Sequence, residues 1–244
     1  MPVEEFSRKP HSPEWPNMRQ NSSIRVTQSS KERTMTVPQR VLDIMNSGEV
    51  YAFDDSEILQ AQADQMELLY EFNASRPSEP EHRRAIAEKL LGGYEEGAWI
   101  EPPLHANWGC NTYFGRNAYA NFNLTLVDDG EVHIGEKVMI GPNVTITTTG
   151  HPIRPDLRER ATQYSLPVTI GRNVWIGANV TILPGVTIGE NSVIGACSLV
   201  TRDIPANVVA YGQPCKVVRE IGEHDDVYYW HDRKINPPFD VLPE

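Results

Sequence analysis

Large aliphatic residues return at every sixth position over much of this chain, and that spacing restricts its fold more than any other feature. The run is cleanest at Ile170, Ile176, Ile182, Ile188, Ile194 and Val200, with glycine following at Gly171, Gly177, Gly189 and Gly195. Ile134, Ile140 and Ile146 keep the same spacing, and Trp108, Phe114, Ala120 and Leu126 extend it with looser chemistry. Four residues after the stronger markers stand Val138, Val144, Val174, Val180, Val186, Ser192 and Ser198, all small or β-branched. A short repeat of this kind predicts a solenoid. Each six-residue unit supplies one strand and one turn, and three units close a triangular coil. The marker points inward, as does the residue four on, which must be small enough to fit near a corner. The glycine is expected to ease the tight turn. Stacked coils then bury one continuous core. The repeat specifies a mainly β fold and leaves activity open, so a non-catalytic scaffold is one reading.

The period breaks twice. Two extra residues enter between Leu126 and Ile134, in LVDDGEVHI, and a polar, proline-bearing stretch, TTTGHPIRPDLRERATQYSLPVT, separates Ile146 from Ile170. The second break predicts an extruded loop over about 147–168, and loops on a rigid scaffold are where function concentrates. His151 stands where that loop leaves the coil, in the outward-facing class with Met139, Trp175 and Thr181.

Before the repeat, residues 1–35 are polar and aperiodic and predict a mobile tail. Residues 36–94 predict a small helical region. Asp54 can cap a helix with Glu57 as capping-box partner, and Ile58, Leu59, Met66, Leu69 and Phe72 recur at helical spacing. A second helix begins at Glu79 and Pro80 and ends at Leu90 and Leu91, with Gly92 and Gly93 as its C-cap. The β-helix is placed at 95–221 and a C-terminal extension at 222–244.

Charge and cysteine usage narrow the partners. A formal net charge of −11 over 244 residues opposes general affinity for nucleic acid or anionic membrane, so an anionic ligand needs a local basic pocket. Cys110, Cys197 and Cys215 form no CxxC pair and suit reduced thiols in a cytoplasmic protein. No apolar run reaches the roughly 18 residues of a membrane span. The first residues, MPVEEFSRKPHSPEW, lack the apolar core of a signal peptide.

Longer motifs carry a resemblance. YEFN (70–73), YANFNLT (119–125), VDDG (127–130), PNVT (142–145), TGHP (149–152) and IGRNVWIGANV (170–180) are followed by PGVTIGENSVIGA (184–196), DIPANVVA (203–210) and GQPCKVVREI (212–221). With a tail around 228–234, these make residues from about 47 to 235 resemble the galactoside O-acetyltransferases, and more loosely the maltose and nodulation-type sugar acetyltransferases. The resemblance implies a left-handed parallel β-helix, acetyl-CoA as co-substrate, a sugar acceptor, no metal, and a homotrimer. It places the catalytic base on His151 and acceptor contacts on Asn121 and Asp129, with Tyr119 beside them and Met139 on the acceptor side. Asp54 is an approximate counterpart of an acidic residue that approaches the sugar from the helices. The cofactor groove falls on Ala178, Ala196, Thr201 and Arg202, with Lys216 and Arg219 toward the phosphates and Trp175 walling the acetyl tunnel or packing on a neighbouring subunit. Two positions depart from the family's usual residues: Met139 stands for Leu and Gln163 for Met.

The implied reaction is direct transfer in a ternary complex. Imidazole titrates near neutrality in general, which suits a base at physiological pH. A backbone N–H near the His151 loop or the Ala178 turn is the expected oxyanion donor. A β-helical zinc carbonic anhydrase is a rival, but no histidine follows His151 until His224, and His105 and His133 lack the ligand spacing.

Overall fold

A computed structural model describes residues 37–235. Its body is a parallel β-helix with three flat faces. One face stacks five strands: Gly93–Tyr94, Thr112–Phe114, Val132–Ile134, Val168–Ile170 and Thr187–Ile188. The second stacks seven, from Trp99–Ile100 through Tyr119–Ala120, Met139–Ile140, Trp175–Ile176 and Val193–Ile194 to Val208–Tyr211 and the closing antiparallel strand Lys216–Glu220. The third stacks Leu104–Ala106, Leu124–Val127, Thr145–Thr147, Thr181–Ile182 and Leu199–Val200. The chain visits the faces in that order, coil after coil. Parallel register puts like on like: Ile134 on Ile170, Ile140 on Ile176, Ile146 on Ile182.

The six-residue markers form the core. Ile134, Ile140, Ile146, Ile170, Ile176, Ile182, Ile188, Ile194 and Val200 are buried, and so are the valines four residues on. Each fully buried side chain of this size contributes about 1.5–3 kcal/mol. Where serine replaces valine, its hydroxyl is satisfied locally. Ser192 donates to the Pro205 carbonyl at 2.7 Å and Ser198 to the Gly195 carbonyl at 2.6 Å.

The marker glycines have a different reason from the one expected. None of Gly135, Gly141, Gly171 or Gly177 adopts a positive φ; that conformation falls on Asn117, Asn123, Lys137, Asn143, Asn173, Asn179, Asn191, Cys197 and Asn207. Asparagine tolerates the left-handed region and makes the turn. Glycine is required because successive coils touch: a Cβ on Gly177 would lie 2.6 Å from the Ala196 nitrogen.

Trp108 departs from the expected core row. On the third face the inward residue is Ala106, paired with Leu126, and the next residue of the marker row is Phe114, paired with Ile134, eight positions on rather than six. Trp108 therefore lies in a corner insertion. It is buried in a second core with Val41, Met45, Ile58 and Ala61.

The helices pack on the first coils. α1 spans Gln39–Met45, α2 Ser56–Ala74 and α3 Pro80–Leu90. Ile58, Leu69 and Phe72 face inward, whereas Leu59 and Met66 are about half exposed, at 50% and 47%. The α2 cap is Asp55, not Asp54. The Phe53 N–H is held by the Ala161 carbonyl at 3.1 Å, so extended chain persists one residue longer and the Asp55 carboxylate accepts from the Glu57 N–H at 2.9 Å. Leu91 takes the C-cap position of α3 in an extended conformation. Gly92 serves close approach, since its Cβ would lie 2.3 Å from the Cys110 carbonyl oxygen. Among the described residues no helix is long and apolar enough to cross a membrane. Residues 1–35 lie outside the described residues, as does the end of the 222–244 segment.

Candidate active site

The third face turns into the first at one corner, and there three successive coils carry insertions. Trp108 and Gly109 fill the lowest, Asp128 and Asp129 the next, and the extruded loop the third. The loop is itself ordered. Thr149–Gly150 pairs antiparallel with Thr162–Ser165, which pairs in turn with Tyr51–Ala52 from the helical region. Between them lies α4, Pro155–Arg158. Gly150 lets the two loop strands close, because a Cβ there would sit 2.6 Å from the Tyr164 ring.

Asp128 pins this corner. Its Oδ1 accepts from the Trp108 N–H at 2.9 Å, and its Oδ2 accepts from the Gly109 N–H at 2.8 Å and the Thr112 hydroxyl at 2.9 Å. Burial pushes its carboxyl up to about 6, against the pull of these three donors. The neighbouring Asp129 accepts four side-chain hydrogen bonds. Asn107 Nδ2 and Thr149 Oγ1 reach Oδ2, both at 3.0 Å. Trp108 Nε1 at 3.3 Å and Gln163 Nε2 at 3.1 Å reach Oδ1. A carboxylate has about four acceptor positions, so these donors from the chain itself saturate it.

His151 closes the group. Its Nδ1 lies 2.9 Å from the Thr162 carbonyl oxygen. A carbonyl only accepts, so the proton stands on Nδ1 and Nε2 is the ring's basic nitrogen. The Phe53 ring meets the imidazole edge to face, with centroids 5.9 Å apart. His151, Phe53, Tyr51, Asn107, Asp129 and Gln163 line a cavity of about 230 Å³ floored by Met45, Ile58 and Trp108. Burial pushes the nearby Cys110 thiol up to about 12, which keeps it protonated and poorly nucleophilic.

Of the residues assigned to the acceptor, Asp129 alone shares this cavity with His151. Tyr119 and Met139 stack on the outer surface of the second face, in line with Trp99 below and Trp175 above. Met139 is 49% exposed and Trp175 53%. Asn121 follows that row, its Oδ1 accepting from the Phe122 N–H at 2.8 Å. Asp54 is exposed beside Phe53. Conversely, Tyr51, Phe53, Asn107, Trp108 and Thr149 were not singled out for the site from the sequence. The eight-residue step at Trp108 is a signal that could have found one of them; the pairing of Tyr51 with Gln163 left none.

The cofactor residues fall into separate groups. Ala178 and Ala196 stack at the corner between the second and third faces, where the Cys197 N–H donates to the Ala178 carbonyl at 2.8 Å. Thr201 and Arg202 leave the last strand of the third face. Arg202 and Lys216 line one cavity of about 460 Å³ with Asp203, Ile204, Pro214, Cys215 and Val217. Arg219 stands apart. Its guanidinium is held bidentately by Asp225 of α5 (Glu223–Val227), at 2.7 and 2.8 Å, and this hydrogen bond holds the Asp225 carboxyl at about 2. Among the described residues no group of three His, Cys, Asp or Glu side chains is placed to hold a metal ion.

Comparison with known proteins places this arrangement. Residues 167–202 match the bacterial transferase hexapeptide (six repeats) family and residues 44–94 the maltose acetyltransferase hexapeptide capping motif. A galactoside O-acetyltransferase of Escherichia coli (strain K12) is 56% identical over 168 residues, covering 69% of this chain and 83% of that protein. A solved galactoside acetyltransferase in complex with coenzyme A is 50% identical and superposes with a TM-score of 0.76, over 79% of this chain and 96% of its own. A maltose O-acetyltransferase from Clostridium difficile 630 is 41% identical, with a TM-score of 0.72 over 73% and 96%. The capped β-helix, its ordered loop and these identities show that the chain belongs to the hexapeptide-repeat family of galactoside and maltose O-acetyltransferases.

Proposed function

We propose that this protein transfers the acetyl group of acetyl-CoA to a sugar hydroxyl, with His151 as general base. The observation that carries the reading is the Thr162 carbonyl at His151 Nδ1, because it leaves Nε2 as the proton acceptor beside a cavity. In the proposed step Nε2 takes the proton of the acceptor hydroxyl as that oxygen attacks the thioester carbonyl. The tetrahedral oxyanion collapses, the C–S bond breaks, and the imidazolium returns its proton to the departing thiolate. General base catalysis of this kind contributes roughly 10²- to 10⁴-fold. Asp129 supports the cavity by holding Asn107, Trp108, Thr149 and Gln163 in place.

The cofactor is assigned to Ala178, Ala196, Thr201, Arg202 and Lys216. The two alanines and His151 stand at different corners of the prism, separated by one face of about six residues, roughly 15–20 Å at 3.3 Å per extended residue. A thioester lying against the alanines is therefore matched to the histidine of another copy. The row of half-buried Tyr119 and exposed Met139 and Trp175 is apolar surface suited to such a contact. The family resemblance makes that assembly a homotrimer, with sites at its subunit boundaries. The unpaired Cys110, Cys197 and Cys215 fit a reducing compartment such as the cytoplasm.

Release of the coenzyme A thiol from acetyl-CoA tests the reading, with galactosides, glucose and maltose supplied in turn. Acceptor-dependent release is expected, and none with any sugar would refute it. Sedimentation gives the assembly; a fully active monomer would refute the shared site.

A further inference from the structure

The polar wall of the His151 cavity contains one residue whose chemistry the reaction does not require. Gln163 stands directly opposite Tyr51 in the antiparallel pair, so the two side chains share a face. It is only 7% exposed. Its Nε2 donates both protons, one to the Tyr51 hydroxyl at 2.6 Å and one to Asp129 Oδ1 at 3.1 Å. Asp129 accepts only, so the nitrogen must be the atom that faces it and the carboxamide cannot flip. The orientation of the Gln163 carboxamide is thereby set. The Tyr51 hydroxyl also lies 3.3 Å from Ser165 Oγ, where either oxygen can donate.

Two consequences follow for a polyhydroxylated ligand in this cavity. Asp129 already accepts from four side chains of the protein itself, Asn107, Trp108, Thr149 and Gln163. The Gln163 Oε1, by contrast, meets no donor among the described residues, and it is not among the side-chain atoms that are both buried and unpartnered. It belongs to a residue lining the cavity beside His151.

We propose that Gln163 is a specificity-determining residue: its Oε1 accepts a hydrogen bond from a second hydroxyl of the acceptor, one that is not acetylated. The idea rests on the sugar-acetyltransferase reading given above. Tyr51 and Asp129 act as positioning residues that aim the carboxamide. An acceptor lacking a donor at that place leaves the oxygen facing the cavity unpaired, and turnover falls.

The test pairs changes in the protein with changes in the acceptor. Gln163→Met keeps the length of the side chain and removes both its donors and its acceptor. Gln163→Asn keeps the amide but withdraws it by one methylene. Wild type and both variants are assayed with the best acceptor sugar and with its mono-deoxy and mono-deoxyfluoro analogues, because fluorine cannot donate. In wild type, one non-reacting position is expected to lower kcat/KM by about 3- to 10-fold when its hydroxyl is replaced, the worth of a neutral hydrogen bond. In either variant the parent sugar falls to the level of that analogue, and the analogue itself moves by less than about 2-fold, with the KM for acetyl-CoA unchanged.

A purely structural role would lower every acceptor by the same factor, and that result overturns the proposal. Wild-type indifference to every non-reacting hydroxyl overturns it as well. If the Met variant fails to fold, the Asn variant carries the same expectation. A wild-type chain that acetylates no sugar sinks the functional reading and this proposal together, whereas acetylation without coupling sinks the proposal alone.

Discussion

Two corners of the same prism behave in opposite ways. At the corner between the third and first faces the repeat is interrupted in three coils; there Asp128 accepts from the Trp108 and Gly109 N–H groups and the Thr112 hydroxyl, and Asp129 accepts from Asn107, Trp108, Thr149 and Gln163. At the corner between the second and third faces the repeat runs without interruption. Successive coils pass there so closely that a Cβ on Gly141 would lie 2.8 Å from the Ala178 nitrogen, and the corner carries the small Ala178 and Ala196 beside exposed Asn143, Asn179 and Cys197. The first corner is preorganised by its own side chains. The second is a regular ladder of small and asparagine side chains. The proposed function assigns the chemistry to the former and the extended cofactor to the latter.

The largest test of this contrast is His151→Ala. It should lower kcat by about 10²-fold or more while acetyl-CoA binding and the melting temperature hold, because the ring is exposed and supports no core. Retained turnover in steady-state kinetics would place the base elsewhere.

Asp128→Ala probes the network itself. Three buried donors lose their acceptor, so chemical denaturation should show a loss of about 3 kcal/mol or more. The same carboxyl gives a pH signature. Its folded-state value of about 6 lies above the ordinary range, so its contribution to stability is full below about pH 4 and is lost as pH rises toward 6. Wild type should therefore lose stability relative to Asp128→Asn across that window. A difference that stays flat from pH 4 to 6 would show that the group does not titrate there.

Smaller effects belong to the cofactor side. Arg202→Ala should raise the KM for acetyl-CoA about 10-fold and leave the sugar KM in place, as expected for one charge-assisted hydrogen bond. Arg219→Ala should move it less, by about 3-fold or under, since the guanidinium is already engaged by the Asp225 carboxylate on an exposed surface. An Arg219 effect larger than that of Arg202 would mean that Asp225 releases its partner when the cofactor binds.

The six-residue period was enough to predict the stacked coils, their inward rows and the extruded loop, because burial is periodic and needs only the chain's own alternation of large and small residues. Its reading of Gly177 as a turn residue failed, since contact between coils is invisible to a single coil. Trp108 was misplaced for a related reason. A six-residue count from Phe114 reaches it, yet the inward row passes through Ala106 and the tryptophan leaves to join α1 and α2.

At the site, His151 was legible from its frame in the sequence and Asp129 from its insertion. Their partners were not. Tyr51 lies over a hundred positions before Gln163, and only pairing of the helical region's short strand with the loop brings them to a hydrogen bond. The sequence determined which residues could be buried and where the regular coil must break. The tertiary structure alone decided which polar groups those breaks would set face to face, because hydrogen-bond partners are chosen by distance in space and carry no signal in spacing along the chain.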